Sequence, residues 1–210
     1  MKSENIRKGL SKNEAVLLSE LAEEGKKVVS IKEIIEKTGS KTKGYLAASR
    51  LARKLWLTRA AKGVYIITPL EAGKTARWTE NEYVIASKLA SPYYIGFSNA
   101  LNFYGFTEQI PAGVTICTTT SKKMKSINGV KYYFVGLNKR KFFGLNKIKI
   151  AGTEINISDK EKTLVDCLDH PEYCGTIFET AKAVLKAKNE ISWMKLAEYA
   201  KKSKNKAVFK

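Results

Sequence analysis

The stretch from Thr42 to Tyr65 constrains the fold more than any other part of the sequence. In its first part, apolar residues recur at three- and four-residue spacing, which places one side of a helix against a core: Ala48, Leu51, Ala52 and Leu55. Two short segments around Lys62 and Gly63 follow and predict a hairpin with a tight basic turn. A basic helix followed directly by a basic hairpin is typical of a winged helix-turn-helix. In that motif the helix enters the major groove of DNA and the hairpin lies along the phosphates.

The opposite side of this helix and the hairpin supply the candidate DNA-binding residues. The helix face combines hydroxyl groups with cations, and the hairpin adds two further cations. The set is Thr42, Lys43, Tyr45, Ser49, Arg50, Arg53, Lys54, Arg59 and Lys62. The alternative is an ordinary solvated face, because surface helices commonly carry charges on their outer side. Two further features, the upstream helices and the charge of the whole chain, favour DNA binding.

Two capping boxes predict the helices that a helix-turn-helix needs before its recognition helix. Ser11 is followed by Glu14 and Ser30 by Glu33, the spacing at which a hydroxyl and a carboxylate close a helix start. Gly39 is placed to end the second helix. With the hairpin these helices form a predicted domain over residues 1–77, which includes a linker that begins at Pro69.

The charge of the chain indicates a polyanionic partner. The 210 residues include 38 Lys and Arg against 20 Asp and Glu, a formal net charge of +18. Residues 1–77 hold 17 basic and 8 acidic residues, the largest excess in the chain. Double-stranded DNA, in the form of an operator, is the simplest such partner. Lys-rich composition also occurs in proteins of thermophiles for unrelated reasons, so the charge alone leaves the partner open.

The remaining composition predicts a cytoplasmic protein with no cofactor, no metal and no membrane contact. Three cysteines, Cys117, Cys167 and Cys174, form an odd count without a close pair, which argues against a disulfide framework and against a zinc site. No N-terminal apolar run resembles a signal peptide, and no apolar run reaches the roughly 18 residues that a bilayer span requires.

Residues 78–210 predict a mixed α/β domain, so the chain as a whole is expected to be α+β. Asn128–Gly129 is a strong hairpin signal between strands Lys122–Ile127 and Val130–Val135, and further strands are predicted at Phe142–Ile150 and Glu154–Ile157. Two more capping boxes, Thr79 to Glu82 and Ser158 to Glu161, predict helices. The last two helices carry the apolar positions Ile177, Ala181, Val184 and Leu185, and Trp193, Leu196 and Tyr199.

Three short stretches carry a resemblance to a known family. They are Lys62–Tyr65, Ser91–Leu101 and Ile157–Leu168. Their order and spacing resemble the AbiEi family, which comprises antitoxins and transcriptional regulators of abortive-infection toxin–antitoxin systems. The resemblance implies a winged helix that represses its own operon. It also implies a C-terminal domain that counters a nucleotidyltransferase-like toxin without forming a stable complex with it. A homodimer and cooperative binding to inverted repeats are two alternatives for how the protein would bind its operator.

Catalysis is the less favoured interpretation of the second domain. Asp159, Glu161, Asp166 and Asp169 could form a metal site for phosphoryl transfer, but the first two occupy a helix start, where carboxylates cap and offset the helix dipole. His170 is the only histidine and is expected in a loop. We therefore expect no enzyme activity. The alternative function is a nucleic-acid-processing enzyme or RNA-binding factor whose winged helix positions the C-terminal half.

Two other groups in the second domain keep an RNA-binding surface open. An aromatic group is expected in the core, with a base-stacking platform as the alternative: Tyr93, Tyr94, Phe97, Phe103, Tyr104 and Phe106. Two basic runs are either solvated loops or a second nucleic-acid surface: Lys122, Lys123 and Lys125, and Lys139, Arg140 and Lys141.

Overall fold

The computed structural model of the chain describes residues 6–76, 78–120 and 122–204. Within these ranges the fold is mixed α+β, as predicted, with eight α-helices and two β-sheets. The chain divides after Leu89 into two compact units, and the turn at 150–153 belongs to the first. This division comes later than the predicted boundary, since the helix Glu82–Ala86 groups with the first unit. Arg77 and the outer ends of the two predicted domains, 1–5 and 205–210, lie outside the described residues.

The first unit combines four helices with a three-stranded antiparallel sheet of order β1-β3-β2. Its elements are α1 (Lys12–Glu23), β1 (Val28–Ser30), α2 (Ile31–Thr38), α3 (Lys41–Arg53), β2 (Leu57–Ala61), β3 (Val64–Ile67) and α4 (Glu82–Ala86). A short 3-10 turn, Leu70–Ala72, occupies part of the predicted linker. Strand β1 was not predicted from the sequence, because three residues between two helices are too few to show periodicity.

The two N-terminal capping boxes are present in the structure. The Ser11 N–H donates to Glu14 Oε2 at 2.7 Å, and the Ser30 N–H donates to Glu33 Oε2 at 2.7 Å. Both helices then bury apolar side chains in one cluster with α3 and β2, which includes Leu21, Ile34, Ala48, Leu51 and Leu57. Local capping and the shared core together fix α1 and α2 beneath α3.

The other two capping predictions were wrong by one or two residues. Helix α4 begins after Asn81, whose Oδ1 accepts from the Tyr83 N–H at 2.9 Å, rather than after Thr79. Helix α6 (Lys160–Asp169) begins after Asp159, whose Oδ1 accepts from the Lys162 N–H at 2.8 Å, rather than after Ser158. In both cases an Asn or Asp stands nearer the helix than the hydroxyl residue, and these side chains cap equally well.

The second unit is built on a six-stranded mixed sheet of order β6-β7-β5-β4-β9-β8. Its strands are β4 (Tyr93–Ile95), β5 (Val114–Thr118), β6 (Lys125–Ile127), β7 (Val130–Gly136), β8 (Leu145–Ile150) and β9 (Thr153–Ser158). Helix α5 (Ser98–Phe103), helix α6, helix α7 (Ile177–Ala187) and helix α8 (Trp193–Ser203) complete it. The central strand β4 runs antiparallel to β5 and parallel to β9, while β5 and β7 run parallel.

The strand predictions for this unit hold in outline. Asn128 and Gly129 have φ of 49° and 82° and join β6 to β7, as the hairpin signal predicted. Strand β6, the first strand of this hairpin, begins at Lys125 rather than Lys122, and β8 begins at Leu145 rather than Phe142. A 3-10 turn over Lys139–Lys141 immediately precedes Phe142, so the chain reaches the sheet only at Leu145.

The expectation of unpaired cysteines was wrong. Cys167 and Cys174 form a disulfide, and Cys117 is free and buried. The partners lie seven residues apart, on α6 and just after the 3-10 turn Pro171–Tyr173, and this turn returns the chain until their Cα atoms are 6.0 Å apart. That reversal depends on backbone geometry that the spacing of the cysteines does not reveal.

Candidate nucleic-acid interface

Helix α3 is held against α2 by an approach that only glycine permits. A Cβ atom on Gly44 would lie 2.6 Å from Ile35 Cγ1 and 2.9 Å from Ile35 Cα. The connection between the helices is short, because α2 ends at Gly39 in the left-handed conformation, with φ of 67°, and Ser40 leads directly into α3. Gly44 was not identified in the sequence analysis. Its signal was present, since a glycine inside a helix costs about 1 kcal/mol relative to alanine and needs a packing reason.

The outer face of α3 presents the predicted residues to solvent. Gly44, Ala48 and Leu51 are buried on the inner face. Six candidates on the other faces are exposed: Thr42, Lys43, Tyr45, Ser49, Arg50 and Arg53. Leu46, beside Tyr45, is also exposed and was not predicted. The helix therefore offers one broad surface that mixes hydroxyl, aromatic, apolar and cationic groups.

The first turn of α3 has a charge distribution that suits an anion. Helices α1 and α2 both carry a glutamate in their first turn, whereas α3 has no acidic residue there and begins with Lys41 and Lys43. Cations at the positive end of a helix dipole are unfavourable by about 0.3–1 kcal/mol in isolation. A polyanion near this helix start would reverse that effect and would also use the free backbone N–H groups.

The predicted hairpin is formed by β2 and β3 and is anchored to the start of α2. Gly63 has φ of 72° in the turn, and its carbonyl oxygen accepts a hydrogen bond from the Ile31 N–H at 2.7 Å. A register shift between Arg59 and Ala61 marks a bulge just before the turn. Arg59 and Lys62 are exposed. The hydrogen bond to Ile31 fixes where the basic turn lies relative to α2 and α3.

Lys54 differs from the other eight candidates. Its Nζ lies 2.5 Å from Glu14 Oε2, and that carboxylate is buried. The Lys54 ammonium and the Ser11 backbone N–H lower the pKa of Glu14 from 4.5 to about 2, and burial opposes them. Lys54 therefore neutralises a buried charge between α1 and α3, and we exclude it from the interface.

The other cations of this surface are free of carboxylate partners within the described ranges. Lys43, Arg50, Arg53, Arg59 and Lys62 each lack an acidic group within ion-pairing distance there. A groove of about 440 Å³ borders the surface, and its lining includes Lys43 and Arg50 together with Glu14 and Glu20. Unpaired cations on an exposed surface leave it strongly attractive to phosphate groups.

Three of the four carboxylates considered for catalysis are paired with lysines of the second unit. Asp159 Oδ2 lies 3.1 Å from Lys195 Nζ, and Glu161 Oε2 lies 3.0 Å from the same atom. Asp169 is paired with Lys141. Among the described residues, no group of three His, Cys, Asp or Glu side chains is arranged to hold a metal ion.

The fourth carboxylate belongs to a buried pair that was not predicted from the sequence. Asp166 is bonded to Lys162 one helical turn earlier, and it also accepts a hydrogen bond from Tyr94 OH at 2.8 Å. Lys162, Asp166 and Tyr94 are all buried. Burial raises the pKa of Asp166, and Lys162 and Tyr94 oppose this effect. The pair ties α6 to β4 at the centre of the unit, so its role there is to hold the two elements together.

The aromatic group and the basic runs separate into buried and exposed members. Tyr94, Phe97 and Phe106 are in the core, as expected, whereas Phe103 is exposed. His170 follows α6, and its Nδ1 lies 3.1 Å from Glu172 Oε1. Of the two basic runs, the exposed members are Lys122, Lys123, Lys139 and Arg140.

Comparison with known proteins finds a similar fold in a solved structure but no related sequence. No known protein family and no curated protein matches the sequence. The crystal structure of the RV2827C protein from Mycobacterium tuberculosis is similar, with a TM-score of 0.52 and 14% sequence identity over 98% of this chain and 82% of that chain. At this identity the likeness concerns the fold alone. None of the described helices combines the length and apolar character needed to cross a bilayer.

Proposed function

We propose that this protein is a DNA-binding transcriptional regulator whose first unit is a winged helix-turn-helix. In this proposal α2 and α3 are the helix-turn-helix, α3 is the recognition helix and the β2–β3 hairpin is the wing. The observation that carries it is the exposed face of α3, where the predicted polar and cationic side chains stand together while the inner face is packed through Gly44. A major groove accepts a helix presented in this way.

The position of each side chain supports a division of roles. Thr42, Tyr45, Ser49 and Arg53 lie along the exposed face of α3 and are assigned to base edges. The cations at the margin of that face and on the wing are assigned to phosphates: Lys43, Arg50, Arg59 and Lys62. Phosphate contacts set affinity and salt dependence, whereas base contacts set sequence preference.

Autorepression and antitoxin activity form the second part of the proposal. They rest on the resemblance to AbiEi in three stretches, of which the longest is Ile157–Leu168. In the structure that stretch contains the end of β9, the cap residue Asp159 and the buried pair Lys162–Asp166. Its pattern is therefore explained by folding of the second unit, and activity against a toxin has to be tested separately.

The test of DNA binding uses the full-length chain and its own promoter fragment. Mobility-shift and footprinting titrations at physiological salt should show a protected site, with binding tighter than to a random duplex of equal length by about 10³-fold or more. Equal affinity for both duplexes would contradict the proposal of a sequence-reading regulator. Rescue of growth on co-expression with a nucleotidyltransferase encoded beside it would support antitoxin activity, and absence of rescue would remove that part.

An RNA-binding factor is the second candidate, and one observation favours it. Lys123, Lys139 and Arg140 are exposed in the second unit, outside the predicted DNA surface. Single-stranded RNA added as competitor distinguishes the two candidates. If single-stranded RNA competes with the promoter fragment by binding to Lys123, Lys139 and Arg140, replacing all three by alanine will abolish the competition by RNA. Binding of the promoter fragment itself will be unchanged.

A further inference from the structure

Helix α7 exposes an apolar stripe on its outer side. Ile177, Phe178 and Leu185 have 50%, 76% and 68% of their surface exposed, and Ala181 between them is exposed as well. The side of the helix that packs into the unit carries Thr180, Ala183 and Ala187. The larger apolar side chains thus face solvent and the smaller ones face the core. Grouped exposed apolar side chains of this size commonly mark an interaction surface.

The spacing of the stripe is close to symmetric about Ala181. Ile177 and Phe178 lie four and three residues before it, and Leu185 lies four residues after it. When two antiparallel copies of such a helix cross at Ala181, residues at equal distances on opposite sides of it meet. Leu185 of each copy then packs against Ile177 and Phe178 of the other. The small side chain of Ala181 allows the two helix axes to approach at the crossing.

The charges beside the stripe are complementary in the same arrangement. Glu179, Lys182 and Lys186 lie on one flank of α7, and Glu179 Oε1 is 2.9 Å from Lys182 Nζ in the same copy. A twofold axis at Ala181 places this flank of one copy beside the same flank of the second copy, with the two helices running in opposite directions. Glu179 then falls between Lys182 and Lys186 of the second copy, and the two helix dipoles oppose each other favourably.

We propose that α7 is a self-association surface, and that its occupant is α7 of a second copy of this chain in an antiparallel, twofold arrangement. One short helix buries less than the area of about 1,200 Å² that separates weak from stable complexes. The dimer is therefore weak and depends on concentration. It involves only residues of the second unit, so it does not rest on the proposed DNA binding.

The first experiment is sedimentation of the full-length protein over a range of about 1 to 500 μM, without DNA. The wild type should shift from monomer towards dimer as the concentration rises. Leu185→Glu should remain monomeric, and circular dichroism should confirm that it is folded. Met194→Glu is the matched control, because Met194 is 85% exposed but lies on α8, and it should dimerise like the wild type. A wild type that stays monomeric, or equal loss in both variants, overturns the proposal.

The second experiment tests the geometry by disulfide trapping. Ala181→Cys should cross-link to itself, because the twofold axis passes beside it. Phe178→Cys alone should not, since the two copies of Phe178 lie about 9 Å apart along the axis, beyond the roughly 7 Å that a disulfide spans. A mixture of Phe178→Cys and Leu185→Cys should give the mixed dimer. The native cysteines do not interfere, because Cys117 is buried and Cys167 is paired with Cys174. Self-linking of Phe178→Cys with none of Ala181→Cys overturns the antiparallel arrangement.

Discussion

Lys54 Nζ lies 2.5 Å from Glu14 Oε2, so the end of α3 is joined to the start of α1 through a buried carboxylate. The same carboxylate accepts the Ser11 N–H and closes the capping box of α1. Glu14 therefore both caps the start of α1 and holds the end of α3, the predicted recognition helix, against α1. The packing of α3 thus contributes to the stability of the first unit.

Lowering the pH should weaken the first unit through Glu14. Its pKa is about 2 in the folded protein and about 4.5 when unfolded, so its contribution is present above pH 4.5 and is lost as the pH falls towards 2. A shift of this size corresponds to about 3 kcal/mol. Urea unfolding at several pH values should show a steeper loss for the wild type than for Glu14→Gln.

Replacing Lys54 separates its structural role from a role in DNA binding. Lys54→Met leaves Glu14 buried without its cation and should cost about 2 kcal/mol of unfolding free energy. The double variant Glu14→Gln with Lys54→Met should recover part of this loss. Promoter affinity and its salt dependence should be unchanged in the folded Lys54→Met protein. A lower salt dependence would return Lys54 to the phosphate-contacting set.

Gly44→Ala should destabilise the protein although alanine favours helix. The added Cβ would stand 2.6 Å from Ile35 Cγ1 and 2.9 Å from Ile35 Cα, so α2 and α3 must separate. We expect a net cost of about 1–3 kcal/mol in urea unfolding, against the gain of about 1 kcal/mol from helix propensity. Gly9→Ala is the control, since nothing lies within 4 Å of a Cβ at that position. A stabilised Gly44→Ala would refute the close packing.

These cases show which features the sequence could predict and which it could not. The faces of α3 were predictable because one continuous period of 3.6 separates Ala48 and Leu51 from Ser49 and Arg53. Lys54 could not be distinguished from Arg53, since its partner Glu14 lies 40 residues away in sequence.

Helix α7 shows the same limit for orientation. Its sequence contains two stripes. Of the more apolar one, which is Ile177, Ala181, Val184 and Leu185, only Val184 packs against the core. The other stripe, Thr180, Ala183 and Ala187, is small and faces inward. Periodicity reports that a helix has two sides, but the space available beside α6 decides which side is buried.

The boundary of the first unit should depend on α4. Lys88 Nζ lies 2.8 Å from Glu33 Oε1, and Val84 and Ile85 are buried. A fragment that ends at residue 89 should therefore be more stable than one that ends at 77, by about 1 kcal/mol from the Lys88–Glu33 ion pair. Urea unfolding followed by circular dichroism measures the difference. Equal midpoints would place the boundary at 77.

Breaking the buried pair in the second unit should affect folding rather than catalysis. Asp166→Asn leaves Lys162 buried without its anion and should cost about 3–5 kcal/mol. The double variant Lys162→Met with Asp166→Leu should recover much of this stability, because the pair is replaced by apolar groups. Promoter binding of folded Asp166→Asn should equal that of the wild type. A metal-dependent nucleotidyl transfer that is present in the wild type and lost in this variant would instead establish an enzyme.

Salt titrations should separate the roles of α3 and the hairpin. Arg59 and Lys62 are exposed beside the turn that Gly63 anchors to Ile31, and the proposal assigns them to phosphates rather than to base edges. Each phosphate contact contributes a slope of roughly −0.9 to log K against log salt. Arg59→Ala and Lys62→Ala should therefore weaken binding about equally on promoter and random duplexes, and each should flatten the slope by about one.

Substitutions on the exposed face of α3 should act on sequence preference instead. Ser49→Ala and Arg53→Ala remove groups assigned to base edges and should cost about 1–3 kcal/mol on the promoter site, with little change on random DNA. Lys54→Met, one residue from Arg53 but bonded to Glu14, is the internal control and should change neither quantity. The roles are reversed if Arg59 and Lys62 variants alter the preferred sequence while Ser49 and Arg53 variants lower only the salt slope. In that event the hairpin would read the bases and α3 would lie along the backbone.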